Sequence, residues 1–135
     1  MNTTLPKFIG MGLFFIFIFA SGFWLSRSVK PYSSSIFNIH KLIGLAAGIF
    51  LIVTVVRSGR MIPLRSIEIA AIAATAMLFL GLVVAGGLLS IIDGGGLANA
   101  SQAVRAAIKT VHHILPYLAV ISTAGSMYLL VSHRL

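Results

Sequence analysis

The sequence predicts an all-α integral membrane protein, a four-helix bundle with both termini on the same side of the membrane. Of its 135 residues 59% are hydrophobic and only 9% are charged, and its mean hydropathy is +1.06. Soluble domains lie near about 45–50% apolar and about 25% charged residues. The apolar residues form four runs, each close to the roughly 20 residues that cross a bilayer. We therefore expect a single transmembrane domain over residues 1–135.

The first two predicted spans are separated by a polar connection. The span over residues 8–25 is rich in phenylalanine and ends near Trp24, a residue type that favours the membrane interface. It lacks a convincing small-residue cleavage site, so we expect a retained helix rather than a signal peptide. The connection covers residues 26–38, and the second span covers residues 39–56. A series of breakers that includes Pro63 follows it.

The third and fourth predicted spans cover residues 66–92 and 103–132. An Asp-Gly-Gly-Gly stretch ends the third span, and the loop over residues 93–101 is flexible by composition. The fourth span begins with an amphipathic turn that carries Arg105 and Lys109. Four spans place both termini and the central loop on one side of the membrane, side A, and the other two loops on the opposite side, side B.

The net charge of +8, from 10 Lys+Arg and 2 Asp+Glu, lies mainly between the apolar runs. Cations placed there contact lipid headgroups and set topology, so we expect a lipid bilayer rather than nucleic acid as the partner. Equal numbers lie on each side, and only the compact cluster of residues 57–65 favours a cytoplasmic side A, in a prokaryotic cytoplasmic membrane. Side A carries Lys7, Arg57, Arg60, Arg65 and Arg134, and side B carries Arg27, Lys30, Lys41, Arg105 and Lys109.

Several kinds of chemistry are excluded by composition. The chain has no cysteine, which excludes disulfides, thiolate zinc sites, iron–sulfur ligation and covalent c-type haem attachment. The only acids, Glu68 and Asp93, lie at opposite ends of the third span, so they cannot form a carboxylate pair. No nucleophile, phosphate-loop or dinucleotide motif is present. We therefore expect no catalysis by this chain alone.

Three histidines lie at the side B end of two predicted spans. His40 opens the second span, and His112 and His113 lie together near the start of the fourth. Ionisable groups are costly inside a membrane and usually face a bundle interior or a cofactor. One histidine from each of two helices is the ligand set of a bis-histidine haem. We predict His40 and His112 as the iron ligands, with His113 as the alternative to His112.

Helical periodicity favours His112 over His113. Neighbouring residues point about 100° apart, so both are not expected to bind one iron. Small residues follow His40 and His112, whereas a bulkier face follows His113. Gly44, one turn from His40, either clears room for a macrocycle or lets helices approach as part of a G-x-x-x-G pair with Gly48. The three faces are Gly44, Ala47, Leu51 and Thr54; Pro116, Ala119, Thr123 and Ser126; and Tyr117, Val120, Ala124 and Met127.

Cations near the histidines suit the polar edge of a haem. Lys41, Arg105 and Lys109 are expected at side B, where they would bind either haem propionates or anionic lipid. The tyrosines are candidates for interface anchoring or for a hydrogen bond to a quinone. His133, at the side A end of the fourth span, is expected to have a surface role.

The segments IHKLIGLAAG around His40 and VHHILPYL around His112 resemble those of small four-helix membrane b-type cytochromes, including haem-bearing membrane anchor subunits of respiratory enzymes. The resemblance implies haem b and electron transfer between a quinone pool and a partner. Many such proteins hold two haems, and this chain lacks the histidines for a second.

Two other functions remain open from the sequence. The first is a cofactor-free structural or assembly subunit, because glycine-rich faces and basic loops suit docking into a larger complex. The second is a small transporter or a non-haem metal site that uses the three histidines, although acidic ligands are missing nearby. In each case we expect a further membrane subunit or a second copy of the chain as partner.

Overall fold

Four long α-helices make up the chain in a computed structural model that describes residues 4–29, 33–59, 63–96 and 99–132. They are α1 (Thr4–Arg27), α2 (Ser34–Gly59), α3 (Ser66–Asp93) and α4 (Gln102–Ser132). Each contains a segment long and apolar enough to cross a membrane. The predicted all-α class and the four membrane-span helices are therefore confirmed by length and composition.

The helices extend beyond the apolar runs that predict them. Helix α2 begins at Ser34, inside the connection predicted over residues 26–38, and the amide of Phe37 donates to the Ser33 carbonyl at 3.1 Å. Serine is favoured at helix starts, so this polar turn continues the helix outside the apolar run. Helix α1 begins at Thr4 and contains Pro6 in its first turn, where proline removes no intrahelical hydrogen bond.

The chain divides into two compact units, Met1–Pro63 and Leu64–Leu135. In the first unit α1 packs against α2, and in the second α3 packs against α4. We call these the first and the second hairpin.

Aromatic and small side chains pack together in the first hairpin. The rings of Phe14 and Phe50 lie 5.6 Å apart at a tilt of 50°. A Cβ atom at Gly10 would lie 3.3 Å from Cζ of Phe50, so this glycine leaves room for the ring. Met11 and Ala47 are buried, with Ala47 at 0% exposure. The Phe14–Phe50 pair and small or flexible residues therefore contribute to the contact between the two helices.

A cluster of hydroxyl groups joins the helices of the second hairpin. Thr75 of α3 is 1% exposed, and its Oγ1 lies 2.7 Å from Oγ of Ser122 and 2.9 Å from Oγ of Ser126 on α4. Thr75 also donates to the Ala71 carbonyl at 2.9 Å. Because its single proton goes to that carbonyl, both serines donate to Thr75. In an apolar environment such interhelical hydrogen bonds hold helices together.

Glu68 caps the beginning of α3 with its own side chain. The carboxylate is buried at 1% residue exposure and accepts from the Arg65 amide at 2.8 Å. The Arg65 guanidinium donates to the other oxygen at 3.2 and 3.3 Å. A negative charge in the first turn is also favoured by the helix dipole. Glu68 therefore has a local structural role.

Glycines end α3 through a hydrogen-bonded turn. The amide of Gly94 donates to the Ser90 carbonyl at 3.0 Å, and the amide of Gly96 donates to the Ile91 carbonyl at 2.9 Å. Gly95 has φ +81°, a left-handed conformation that costs glycine little. The beginning of the predicted flexible loop thus has a defined backbone conformation.

We predict that Thr75→Val destabilises the second hairpin, because it removes both interhelical hydrogen bonds at nearly constant side-chain volume. The expected loss is about 0.6–1.7 kcal/mol in the free energy of unfolding, the range for such bonds in membrane proteins. Denaturant unfolding of the purified protein in detergent measures it. Thr123→Val is the matched control, since Thr123 is also buried but donates to the Ala119 carbonyl of its own helix. Equal losses in the two variants would contradict the role assigned to Thr75.

Candidate functional site

His40 lies in the first hairpin with its ring against the backbone of α1. The residue is half-buried, and a Cβ atom at Gly22 would lie 3.1 Å from its Cε1. Its Nδ1 is 2.9 Å from Oγ of Ser21, and the ring also hydrogen bonds with the backbone of Ile18. The absence of a side chain at Gly22 therefore makes room for the imidazole, and the preceding serine contacts one ring nitrogen.

His112 has a corresponding place in the second hairpin. It is half-buried, its Nδ1 atom is buried, and a Cβ atom at Gly86 of α3 would lie 3.1 Å from its Cε1. His113, the next residue, is exposed. The two adjacent histidines therefore differ in environment, and His112 is the one that packs against the preceding helix of its hairpin.

The second helices of the two hairpins bury corresponding residues. Ala47 follows His40 at the same distance along the chain as Ala119 follows His112, and both alanines have 0% exposure. By the same count, the buried residues Leu51 and Thr54 correspond to Thr123 and Ser126, which are also buried. The small-residue faces predicted below the two histidines are thus the faces that each helix buries within its own hairpin.

The first helices of the two hairpins correspond in the same way. Met11 precedes Gly22 by the same number of residues as Thr75 precedes Gly86. Met11 and Thr75 are both buried. Each histidine lies towards the loop that connects the helices of its hairpin. Each hairpin therefore has the same design, a histidine of the second helix resting on a glycine of the first.

The face predicted below His113 is mixed. Tyr117 is 62% exposed and Ala124 is also exposed, but Met127 is buried. The bulk of this face therefore lies outside the α3–α4 contact, while its last residue belongs to that contact.

Gly44 borders open space one turn from His40. Among the described residues, no atom of a neighbouring residue lies within 4 Å of the position that a Cβ atom would take at Gly44 or at Gly48. The G-x-x-x-G pair therefore does not bring α2 close to α1, unlike Gly22 and Gly10. Gly44 therefore has open space beside it, although the residues that follow it on the same face are buried.

The predicted basic residues are at the same end of the helices as the histidines. Lys41 is exposed, with its Nζ 4.0 Å from the ring centroid of Phe37. Lys109 is exposed one turn before His112. Arg105 is half-buried and its Nε donates to the Ala100 carbonyl at 3.0 Å. The two lysines present their charge at the surface, while Arg105 also stabilises the beginning of α4.

The remaining candidates from the sequence are the tyrosines, a non-haem metal site and His133. Tyr117 and Tyr128 are exposed on α4. Within the described ranges, no three His, Cys, Asp or Glu side chains are grouped so that they would hold a metal ion. The residues His133, Lys30, Tyr32, Arg60 and Arg134 lie outside the described residues.

Sequence reasoning missed the two glycines that face the histidines, as well as Ser21. Gly22 lies near the end of α1, which precedes the helix of His40, and Gly86 lies near the end of α3, which precedes the helix of His112. This shared position is the feature of the sequence that could have identified the two glycines. Hydropathy alone does not single them out, because the chain contains 13 glycines.

We predict that Gly86→Ala stabilises the protein less than Gly87→Ala, by about 1 kcal/mol or more. Alanine gains up to about 1 kcal/mol over glycine in a helix, but a methyl group at Gly86 would lie 3.1 Å from His112 whereas Gly87 has nothing within 4 Å. Unfolding in detergent measures the difference, and the NMR shift of the His112 Hε1 proton reports ring displacement. Equal stabilities with an unmoved ring would contradict the contact.

Comparison with known proteins adds no relative. No protein-family model, no curated protein and no solved structure matches this chain. The function of the protein is therefore inferred from the two histidines and from the residues around them.

Proposed function

We propose that the protein is a membrane b-type haem protein that transfers electrons. His40 and His112 would hold one haem between α2 and α4 near side B. The proposal includes assembly of the two hairpins into a four-helix bundle with both termini on side A. The observation that carries it is the repeated design, in which each hairpin presents one half-buried histidine on a glycine of its first helix.

The repeat supports bis-histidine ligation through symmetry. Parallel repeats in membrane proteins pack around an axis along the membrane normal. His40 and His112 are equivalent positions of the two hairpins, so with such packing they would lie at similar depth and would hold one haem together.

The repeat also favours His112 over His113. Lys41 directly follows His40, just as His113 directly follows His112. Lys41 and His113 are both exposed. Exposed neighbours of the ligand on each second helix suit the outer surface of the bundle. His113 is therefore assigned to the surface in the proposal, and His112 to the iron.

Gly44 and the nearby cations suit the rest of the cofactor. Bare helices pack about 8–10 Å apart, so a macrocycle between two helices needs a position without side-chain bulk. The open space beside Gly44 meets this need. Lys41, Arg105 and Lys109 are cationic donors for the propionates at the side B edge, and the two exposed lysines also suit anionic lipid headgroups.

Electron transfer, rather than catalysis, follows from this ligand set. If His40 and His112 both hold the iron, no coordination position would be left for a substrate. The apolar surroundings suit a carrier within the bilayer. We propose a quinone as the electron donor or acceptor, a second membrane subunit or second copy as partner, and the prokaryotic cytoplasmic membrane as location.

The test is a dithionite-reduced minus oxidised absorption spectrum of the purified protein in detergent, with haem measured as the pyridine haemochrome. We expect a b-type spectrum at close to one haem per chain. Absence of haem after expression with ample haem supply would overturn the proposal. In that case stoichiometric metal without a haem spectrum would indicate a non-haem site, and co-purifying subunits would indicate a structural role.

Histidine variants test the ligand assignment. His40→Ala and His112→Ala are each expected to lose the Soret band, because a single remaining axial ligand does not hold a b-type haem firmly. His113→Ala is expected to keep the band and serves as the matched control. All three should remain inserted in the membrane, as measured by carbonate extraction. Loss in His113→Ala with retention in His112→Ala would reverse the assignment.

A glycine variant tests the position of the macrocycle. Gly44→Leu is expected to reduce haem content at least about tenfold, because the leucine side chain would fill the space next to His40. Gly12→Leu is the control, since Gly12 also has nothing within 4 Å but lies on α1 away from His40. Haem quantification per chain is the measurement. Full haem content in Gly44→Leu would place the macrocycle elsewhere.

A further inference from the structure

Ser21 is the side chain that contacts a nitrogen of His40 from the neighbouring helix. Its Oγ lies 2.9 Å from Nδ1 of the imidazole. The same Oγ lies 2.7 Å from the Phe17 carbonyl oxygen and 3.1 Å from the Ile18 carbonyl oxygen. The serine is half-buried, and the imidazole lies against the backbone of its neighbour Gly22. One hydroxyl group thus lies between two carbonyls and the histidine.

The two carbonyls determine which group donates. A carbonyl oxygen only accepts hydrogen bonds, so the single proton of Ser21 lies towards Phe17 or Ile18. The oxygen of Ser21 then has lone pairs for Nδ1, and a hydrogen bond at 2.9 Å requires the proton to be on Nδ1. We propose that Ser21 is a positioning residue that holds His40 as the Nδ1–H tautomer, which leaves Nε2 as the nitrogen that would hold an iron.

This role rests on the proposed function and gives it a chemical consequence. A metal-bound histidine that donates its other N–H to an acceptor is fixed in orientation and becomes a more basic ligand. A more basic axial ligand stabilises the ferric over the ferrous state, which lowers the midpoint potential of the haem. Ser21 therefore adds to the hydrogen bond with the backbone of Ile18 in setting the direction and the donor strength of His40.

The serine distinguishes the two hairpins. The shift that takes Gly22 to Gly86 takes Ser21 to Ala85, and a methyl group cannot accept a hydrogen bond. The position of α3 that corresponds to Ser21 therefore cannot supply such a hydroxyl contact, and the two hairpins differ there.

The test compares Ser21→Ala with Ser21→Thr in the haem-loaded protein. Ser21→Ala is expected to raise the midpoint potential, because the ligand loses an acceptor, while Ser21→Thr keeps a hydroxyl and is expected to stay near the unmodified value. Ser26→Ala is the matched control, since Ser26 donates only to the Phe23 carbonyl of its own helix at 2.8 Å among its described contacts. Redox titration followed at the α-band gives the potentials.

A second measurement needs no haem. In haem-free protein in detergent, ¹⁵N shifts of the imidazoles identify the tautomer, and His40→Gln assigns the His40 signals. The Nδ1–H form is expected to predominate in the unmodified protein and to decrease in Ser21→Ala. Predominance of the Nε2–H form would overturn the proposal.

The two measurements separate the proposals from each other. Haem binding with the same potential in Ser21→Ala as in the unmodified protein overturns the role of Ser21 and leaves the haem proposal intact. If the unmodified protein binds no haem, the proposed function fails. The tautomer measured in the same preparation then decides whether Ser21 controls the ring.

Discussion

Close contact between helices at residues with little bulk is the constraint on which both hairpins depend. Lipid is as apolar as leucine, so helices in a bilayer associate through van der Waals contact and hydrogen bonds rather than through exclusion from water. Ala47 and Ala119 have 0% exposure for this reason. Gly22 and Gly86 let an imidazole approach the backbone of the neighbouring helix. The residues that pack the helices are thus also the ones that position the histidines.

The two hairpins share a plan but use different side chains to fulfil it. Met11 occupies a buried position in the first hairpin, and its counterpart Thr75 joins two serines in the second. A polar group inside a bilayer needs a partner within the protein. Thr75 finds two on α4, and Glu68 finds its partner in Arg65 at the helix start. The second hairpin therefore satisfies both of these groups internally, whereas the histidines, the glycines against them and the buried alanines are common to the two hairpins.

A protein that transfers electrons through a bound cofactor, as proposed here, needs few specialised residues, so a short chain suits electron transfer. The cofactor supplies the redox chemistry, and the protein supplies ligands, space and a suitable dielectric. Two histidines, an open position at Gly44 and cations at one edge are the required parts. In the proposed haem protein, side chains near the ligands would adjust the potential, and the contact of Ser21 with His40 would be one such adjustment.

The sequence by itself determined the four helices and singled out His40 and His112 as candidate ligands. Long apolar runs have one stable backbone in lipid, because every amide must be satisfied within its own helix, and ionisable groups such as His40 and His112 are rare there. Only the tertiary structure decided the pairing of each histidine with a glycine and of Ser21 with His40. Hydropathy measures how apolar a segment is, but it carries no direction around the helix axis. Which faces meet, and in which register, depends on contacts between residues far apart in the chain. The early start of α2 at Ser34 has a related cause, since the helix continues past the apolar run through polar residues whose amides it satisfies.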